Sequence, residues 1–258
     1  MTQPDRAELL AEATALAEQA AGAIMGYFRG DVDVRRKQDA SPVTAADHAA
    51  EQIIVAGLRR LTPDIPVVAE EEMAGGRSVD VGGGRFWLVD PLDGTKEFIA
   101  QRDEFTVNIA LIEDGVPVLG AVVVPARGAT YTAAGPGTAT VRRDGEARPI
   151  SARVVPATGA IVVASRSHGD MKKIQALMDR LSSDRLKISG SSVKFCLIAE
   201  GEADIYPRYG PTREWDTAAG HAVLAAAGGS VRTSDGKDLV YGKAGFLNGA
   251  FIARGRDG

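Results

Sequence analysis

The chain has 258 residues, 45% hydrophobic and 25% charged, with 34 acidic against 30 basic side chains and a net charge of −4. This mix excludes a disordered chain and predicts a substantial buried core, in one large domain or two packed halves. The acidic balance argues against the basic face of a nucleic-acid binder, and the single cysteine, Cys196, excludes an intrachain disulfide.

Along the chain, residues 5–28 carry Leu9, Leu10, Ala13, Leu16, Ala17, Ala20, Ile24 and Phe28 at spacings of three and four, which predicts an amphipathic helix ending near Gly30. Thr44 precedes a second helical segment that Pro63 closes. Ile65 to Ala69 reads as a short strand running into Glu70-Glu71-Glu72, and residues 75–84, with five glycines, read as a mobile loop. Phe86-Trp87-Leu88-Val89 is a buried strand that ends at Asp90. Residues 105–112 and 116–124 predict a hairpin around Glu113-Asp114-Gly115, and 129–134 and 138–142 extend the meander. Two helices followed by strands suggest helices on an antiparallel sheet over residues 1–154. From 155 to 258 strands and helices alternate, as in an α/β half: strands at 160–164, 185–189 and 203–206, helices at 169–182, 192–200 and 216–227. Cys196 lies among Phe195, Leu197 and Ile198 and reads as packing. The N-terminus has no basic stretch leading into an apolar one, and no apolar run approaches the ~18 residues of a membrane span. A soluble, cytoplasmic protein is the expectation, consistent with its lone thiol.

Four acidic segments carry the chemistry. Asp90-Pro91-Leu92-Asp93-Gly94-Thr95 follows a buried strand directly, so it stands on a rigid platform, and Pro91 and Gly94 force a tight turn. That turn can aim Asp90 and Asp93 at one point, where they repel each other unless a cation lies between them. Oxygen donors of this kind select magnesium, manganese or calcium over zinc. Taken alone, an Asp-Pro-x-Asp-Gly stretch is better read as a surface β-turn; the buried strand before it and the three other acidic segments weigh against that reading. Glu70 ends a short strand and could be held inward, whereas Glu71 and Glu72 read as a solvated loop. Asp47 falls in the first turn of the second helix, where the dipole alone favours a carboxylate. Asp216 begins an apolar helix, where an N-cap role accounts for it and still leaves an oxygen for a metal. Each segment has its plain explanation; the four together point to one carboxylate cluster. No Ser, Cys or His stands in a nucleophile arrangement, and His48, His168 and His221 lack metal-ligand spacing.

In this order the four segments resemble the inositol-monophosphatase-like superfamily of magnesium-dependent, lithium-sensitive phosphatases, over nearly the whole chain. The signatures are Asp90-Pro91-Leu92-Asp93-Gly94-Thr95 and Trp215-Asp216-Thr217-Ala218-Ala219-Gly220. Within it the chain looks most like the CysQ type of 3′(2′),5′-bisphosphate nucleotidase. The matching stretches run from Ser41 to Asp47, Gly94 to Ile99, Glu104 to Ile112, Ser165 to His168, Gly190 to Cys196 and Tyr206 to Thr212. The resemblance implies a mixed α+β and α/β fold, a layered α/β/α/β/α sandwich of the inositol monophosphatase (sugar phosphatase) type.

It also implies a ligand set. One magnesium ion would be held by Glu70, Asp90 and the backbone carbonyl of Leu92, a second by Asp90, Asp93 and Asp216, and a third, looser ion would lie near Glu70. Two such ions suit an in-line phosphoryl displacement by water. Thr95 and Asp47, a hydrogen-bonded pair in the family, would orient the water and take its proton, with Glu70 sharing the role. The N–H groups of Gly94 and Thr95 would face the phosphate. Inositol-type relatives tend to carry an acidic residue where Arg208 stands, and an arginine suits a second phosphate; an exposed loop arginine is the plainer reading. Gly190 and Ser192 would line the same cleft. Substrate contacts are thus expected from Glu70, Asp93, Gly94, Thr95, Gly190, Ser192, Arg208 and Asp216. The implied activity is hydrolysis of the 3′-phosphate of adenosine 3′,5′-bisphosphate to AMP, in sulfate assimilation. An inositol-1-phosphatase or broad sugar phosphatase is the enzymatic rival, and a nucleotide sensor without turnover is the rival from another class. Relatives occur as monomers and dimers, and some CysQ-type proteins contact the inner membrane.

Overall fold

The computed structural model describes residues 4–28, 34–36, 42–82, 84–166 and 170–257. The helix α1 (Arg6–Tyr27) starts at a capping box, in which Asp5 accepts the N–H groups of Ala7 and Glu8 while Glu8 accepts that of Asp5. It ends at Phe28, and the expected stop at Gly30 lies outside the described residues. A small antiparallel ribbon of β1 (Val34–Arg36) and β2 (Pro42–Thr44) leads into α2 (Ala45–Leu61). Ser41 lies outside the described residues.

There follow β3 (Val67–Ala69), α3 (Glu70–Ala74), β4 (Arg85–Asp93), α4 (Thr95–Ile99), β5 (Thr106–Glu113) and β6 (Val116–Val124). The sheet continues through β7 (Ala129–Ala133), β8 (Thr140–Arg143) and β9 (Glu146–Pro149). These seven strands lie in chain order, antiparallel throughout except for the parallel pair β3–β4. The second half contains β10 (Val162–Ala164), α5 (Met171–Arg180), β11 (Leu186–Ile188), α6 (Val193–Ala199) and β12 (Ile205–Arg208). It closes with β13 (Thr212–Arg213), α7 (Ala218–Ala226), β14 (Ser230–Thr233), β15 (Leu247–Asn248) and β16 (Phe251–Arg254). Five of these strands form a sheet in the order β11-β10-β12-β16-β14, parallel through β12 and antiparallel on both sides of β16.

Period-two alternation sorts the side chains of the large sheet. Trp87, Val89, Val107, Ile109 and Leu111 pack against Leu9, Leu16, Ile24, Ile54 and Leu58 of α1 and α2. Phe86, Leu88, Ala110, Ile112 and Val122 face the other way, onto Val193, Phe195 and Ile198 of α6 and Ala219 and Val223 of α7. Val163, Tyr206, Phe251 and Ala253 of the second sheet close the same core from its far side. Val162 and Ala164 point outward onto Ile174 and Met178 of α5. The layers therefore run α/β/α/β/α, as the resemblance implies. Cys196 is buried in the middle helical layer, and burial pushes its thiol well above the usual range.

The acidic triplet departs from expectation. Glu70–Ala74 is a helical turn, Glu71 is buried, and Glu72 pairs with Arg59 and Arg77. The buried carboxylate of Glu51 accepts the N–H groups of both Glu71 (2.7 Å) and Glu72 (3.0 Å), which holds the turn against α2. Among the described residues no helix is long and apolar enough to cross a membrane.

Candidate active site

Asp90 and Asp93 are three residues apart, and on a regular strand they would face opposite sides of the sheet. Between them the register of β4 on β5 shifts: Asp90 pairs with Asn108 but Asp93 with Thr106, so β4 carries one residue more than its partner. This bulge turns both carboxylates into one cavity. Leu92 N–H donates to Asp90 Oδ1 (3.1 Å), and Thr95 Oγ donates to the Leu92 carbonyl (3.2 Å). Gly94 makes the turn at φ +93°, and a Cβ there would meet the Glu104 carbonyl at 3.0 Å.

Glu70 stands beside Asp90 because β3 runs parallel to β4, with Ala69 paired to Val89. Asp216 comes from the junction of β13 and α7. It is not the N-cap expected of it: Thr217 occupies that position, and Asp216 Oδ2 instead accepts Arg213 N–H (3.0 Å) and the Thr212 hydroxyl. Ser192 ties this segment to β4, its hydroxyl 2.8 Å from the Asp216 carbonyl and 3.3 Å from Asp93 Oδ2. Gly190 has no room for a side chain, since a Cβ would lie 2.7 Å from both the Glu104 carbonyl and Glu97 Cγ.

The cavity holds about 460 Å³. Of the expected residues, Glu70, Asp90, Leu92, Asp93, Gly94, Thr95, Gly190, Arg208 and Asp216 line it. Asp47 and Ser192 are buried residues behind that lining: Asp47 acts on Asp90 through its charge, and it is Ser191 that reaches the cavity wall. Burial raises Asp90 well above the usual carboxylate range, and the charges of Glu70, Asp93, Asp216 and Asp47 raise it further. Burial also raises Asp93, against the pull of Lys194 and Arg208. Burial, with repulsion from Asp93 and Glu70, pushes Asp216 up to about 7.

Lys194 and Arg208 make a basic wall that meets the acidic one at Asp93. Lys194 is a cavity residue that the acidic motifs do not point to. It is the lone charge in the otherwise apolar helix Val193–Ala199, and that mismatch was the available signal. Burial brings its ammonium down to about 8, while Asp93 supports the charge. Its Nζ donates to the carbonyls of Ser189 and Ser191 and lies 5.0 Å from the centre of the Tyr206 ring. The Arg208 guanidinium donates to the carbonyls of Gly210 (3.2 Å) and Pro211 (2.8 Å), which fixes it at the rim. The histidines stay outside this chemistry. His221 is buried with Nδ1 3.0 Å from the Tyr241 hydroxyl, burial holds it down to about 4, and His48 lies beside Glu71. Ser167 and His168 lie outside the described residues.

The donors facing the cavity suit a hard divalent cation: they are carboxylates and a backbone carbonyl, crowded so that their charges oppose one another. Among the described residues no three His, Cys, Asp or Glu side chains already close on a common point. The fit therefore rests on donor chemistry and mutual repulsion.

The sequence matches the inositol monophosphatase family over residues 5–256. The 3′(2′),5′-bisphosphate nucleotidase CysQ of Escherichia coli (strain K12) is 49% identical over 246 residues, covering 94% of this chain and 98% of its own. The protein of that name from Buchnera aphidicola is 42% identical over 243 residues, covering 92% and 90%. The crystal structure of CysQ from Bacteroides thetaiotaomicron, a bacterial member of the inositol monophosphatase family, superposes with a TM-score of 0.77 at 34% identity, covering 95% of this chain and 97% of that one. An inositol monophosphatase from Anabaena (Nostoc) gives a TM-score of 0.77 at 27% identity, covering 96% and 90%.

Proposed function

We propose that this chain, which belongs to the inositol monophosphatase family, is a 3′(2′),5′-bisphosphate nucleotidase that uses magnesium to release the 3′-phosphate of adenosine 3′,5′-bisphosphate, leaving AMP. Its place would be the clearance of a by-product of sulfate assimilation. The observation that carries the reading is the single cavity in which an acidic wall and a basic wall meet at Asp93. A bisphosphate has one phosphate for each wall. The likeness to CysQ proteins supports the same substrate class.

Glu70, Asp90 and the Leu92 carbonyl would hold one ion, Asp90, Asp93 and Asp216 a second, and Glu70 a third more loosely. Bound magnesium supplies positive charge that acidifies water and offsets charge developing on the phosphoryl oxygens. The residues of the chain do the rest. Thr95 has its proton engaged by the Leu92 carbonyl, so its oxygen lone pairs are left to orient the attacking water. Glu70, on the cavity wall, is the base for that water's proton, and the buried Asp47 acts through its charge on Asp90. The N–H groups at Gly94 and Thr95, where α4 starts, face the phosphate. Lys194 and Arg208 hold the second phosphate, Arg208 through its rigid fork of donors.

The test is phosphate release in magnesium buffer from adenosine 3′,5′-bisphosphate and from inositol 1-phosphate at equal concentration, with Asp90→Asn as control. The expected result is a strong preference for the nucleotide and loss of at least about 10²-fold in the variant. Equal or better release from inositol phosphate would remove the substrate assignment. No release from either would remove the enzyme assignment.

A further inference from the structure

Seven large hydrophobic side chains are exposed among the described residues, and of these Leu247 alone lines the cavity that holds the carboxylates. It is 48% exposed, and Pro211, also exposed, lines the same cavity. A lone exposed apolar side chain is ordinary on a protein surface; this one is set apart by standing on the wall of the carboxylate cavity. Nor can it retract. Leu247 pairs with Arg213 in the antiparallel ribbon of β13 and β15, and the neighbouring Asn248 is fully buried, its amide donating to Thr217 Oγ (2.9 Å). Arg213 in turn donates to the Gly245 carbonyl (2.9 Å) and lies over the Trp215 ring. The same ribbon supplies Thr212, whose hydroxyl donates to Asp216. A rigid element thus links an apolar shelf at the rim to a carboxylate at the proposed reaction centre.

We infer that Leu247 and Pro211 form the shelf that receives the purine base of the substrate. This rests on the nucleotidase reading and deepens it. Most of the remaining lining is charged or polar and suits phosphates and hydroxyls, so Leu247 and Pro211 add exposed apolar surface where the face of a base can rest. Covering that face with Leu247 removes apolar surface of both partners from water. A polyol phosphate has no such face, so the shelf separates nucleotides from sugar and inositol phosphates independently of Arg208.

The experiment compares wild type, Leu247→Ala and Leu247→Met on adenosine 3′,5′-bisphosphate and on inositol 1-phosphate. The shelf predicts a KM for the nucleotide raised roughly tenfold by Leu247→Ala with little change in kcat, and a fall of similar size in the kcat/KM ratio of nucleotide to inositol phosphate. Leu247→Met, apolar and of similar size, retains most of the wild-type ratio. If the wild type prefers the nucleotide and Leu247→Ala keeps the full preference, or loses activity equally on both substrates, the shelf is refuted while the nucleotidase reading stands. If the wild type itself shows no preference, the nucleotidase reading fails, and the shelf with it.

Discussion

Replacing Asp216 by asparagine should make the metal-free protein more stable while removing its activity. Asp216 has its carboxyl pushed from 3.8 to about 7, first by burial and then by Asp93 and Glu70. A rise of that size corresponds to at most about 4 kcal/mol of destabilisation when the group must ionise in the folded protein. The sign follows from which state ionises first. Below pH 3.8 the carboxyl is protonated both folded and unfolded, and the cost is absent. Between 3.8 and about 7 the unfolded chain ionises while the folded one keeps its proton, so the cost grows with pH; above about 7 it is complete. Asparagine removes it but accepts less well from Thr212 and Arg213, a loss of about 1 kcal/mol. The balance is a gain of roughly 2–3 kcal/mol at pH 8, or about 5–10 °C in Tm for a chain of this size. The assay is thermal unfolding in EDTA from pH 5 to pH 8, then again with saturating magnesium. The variant's advantage should widen with pH in EDTA. It should shrink or invert in magnesium, because ligand present at a hundred times Kd adds about 2.7 kcal/mol to whichever protein binds it. A variant no more stable than wild type in EDTA at pH 8 would refute the argument that these carboxylates are held together against their own repulsion.

Three further outcomes are expected. Gly190→Ala drives a Cβ to 2.7 Å from the Glu104 carbonyl, which belongs to backbone and cannot swing aside. Denaturant unfolding should show a loss of about 1–3 kcal/mol, with a fall in kcat as the start of α6 shifts. Glu51→Ala removes the acceptor for the N–H groups of Glu71 and Glu72, so the turn bearing Glu70 loosens. The magnesium concentration for half-maximal activity should rise, and Glu51→Gln, which keeps one acceptor oxygen, should recover part of it; an unchanged magnesium requirement in Glu51→Ala would refute the positioning role. Lys194 is held down to about 8, first by burial, so it is charged below that pH and loses its charge as pH rises through it. The kcat/KM of the wild type on the bisphosphate should fall above pH 8. Lys194→Met should begin roughly 10–100-fold lower and lack that fall; parallel profiles would place Lys194 outside substrate binding.

Much of this architecture is written in short-range patterns. Spacings of three and four mark α1 and α2, and two apolar runs flanking the turn Glu113-Asp114-Gly115 mark β5 and β6, because these signals lie within a few residues of each other. The strands after residue 227 are only two to four residues long and carry weaker patterns. The helical turn of the acidic triplet has no local signal, because the acceptor that holds it, Glu51, lies about twenty residues away on α2. The carboxylates lie where elements begin, bend or meet: Glu70 opens α3, Asp90 and Asp93 flank the bulge of β4, and Asp216 stands between β13 and α7.

The sequence by itself determined most of the elements before residue 227, the acidic residue types and, through its two signatures, the family, since each of these depends on residues within one turn or one strand of each other. Only the tertiary structure decided how they converge. The one-residue bulge against β5 brings Asp90 and Asp93 to the same side. Ser192 reaches Asp93 across 99 positions of sequence, and Lys194 turns its charge from an apolar helix into the cavity beside it. Burial and electric field are sums over neighbours in space, and neighbours so distant along the chain leave no local pattern in it.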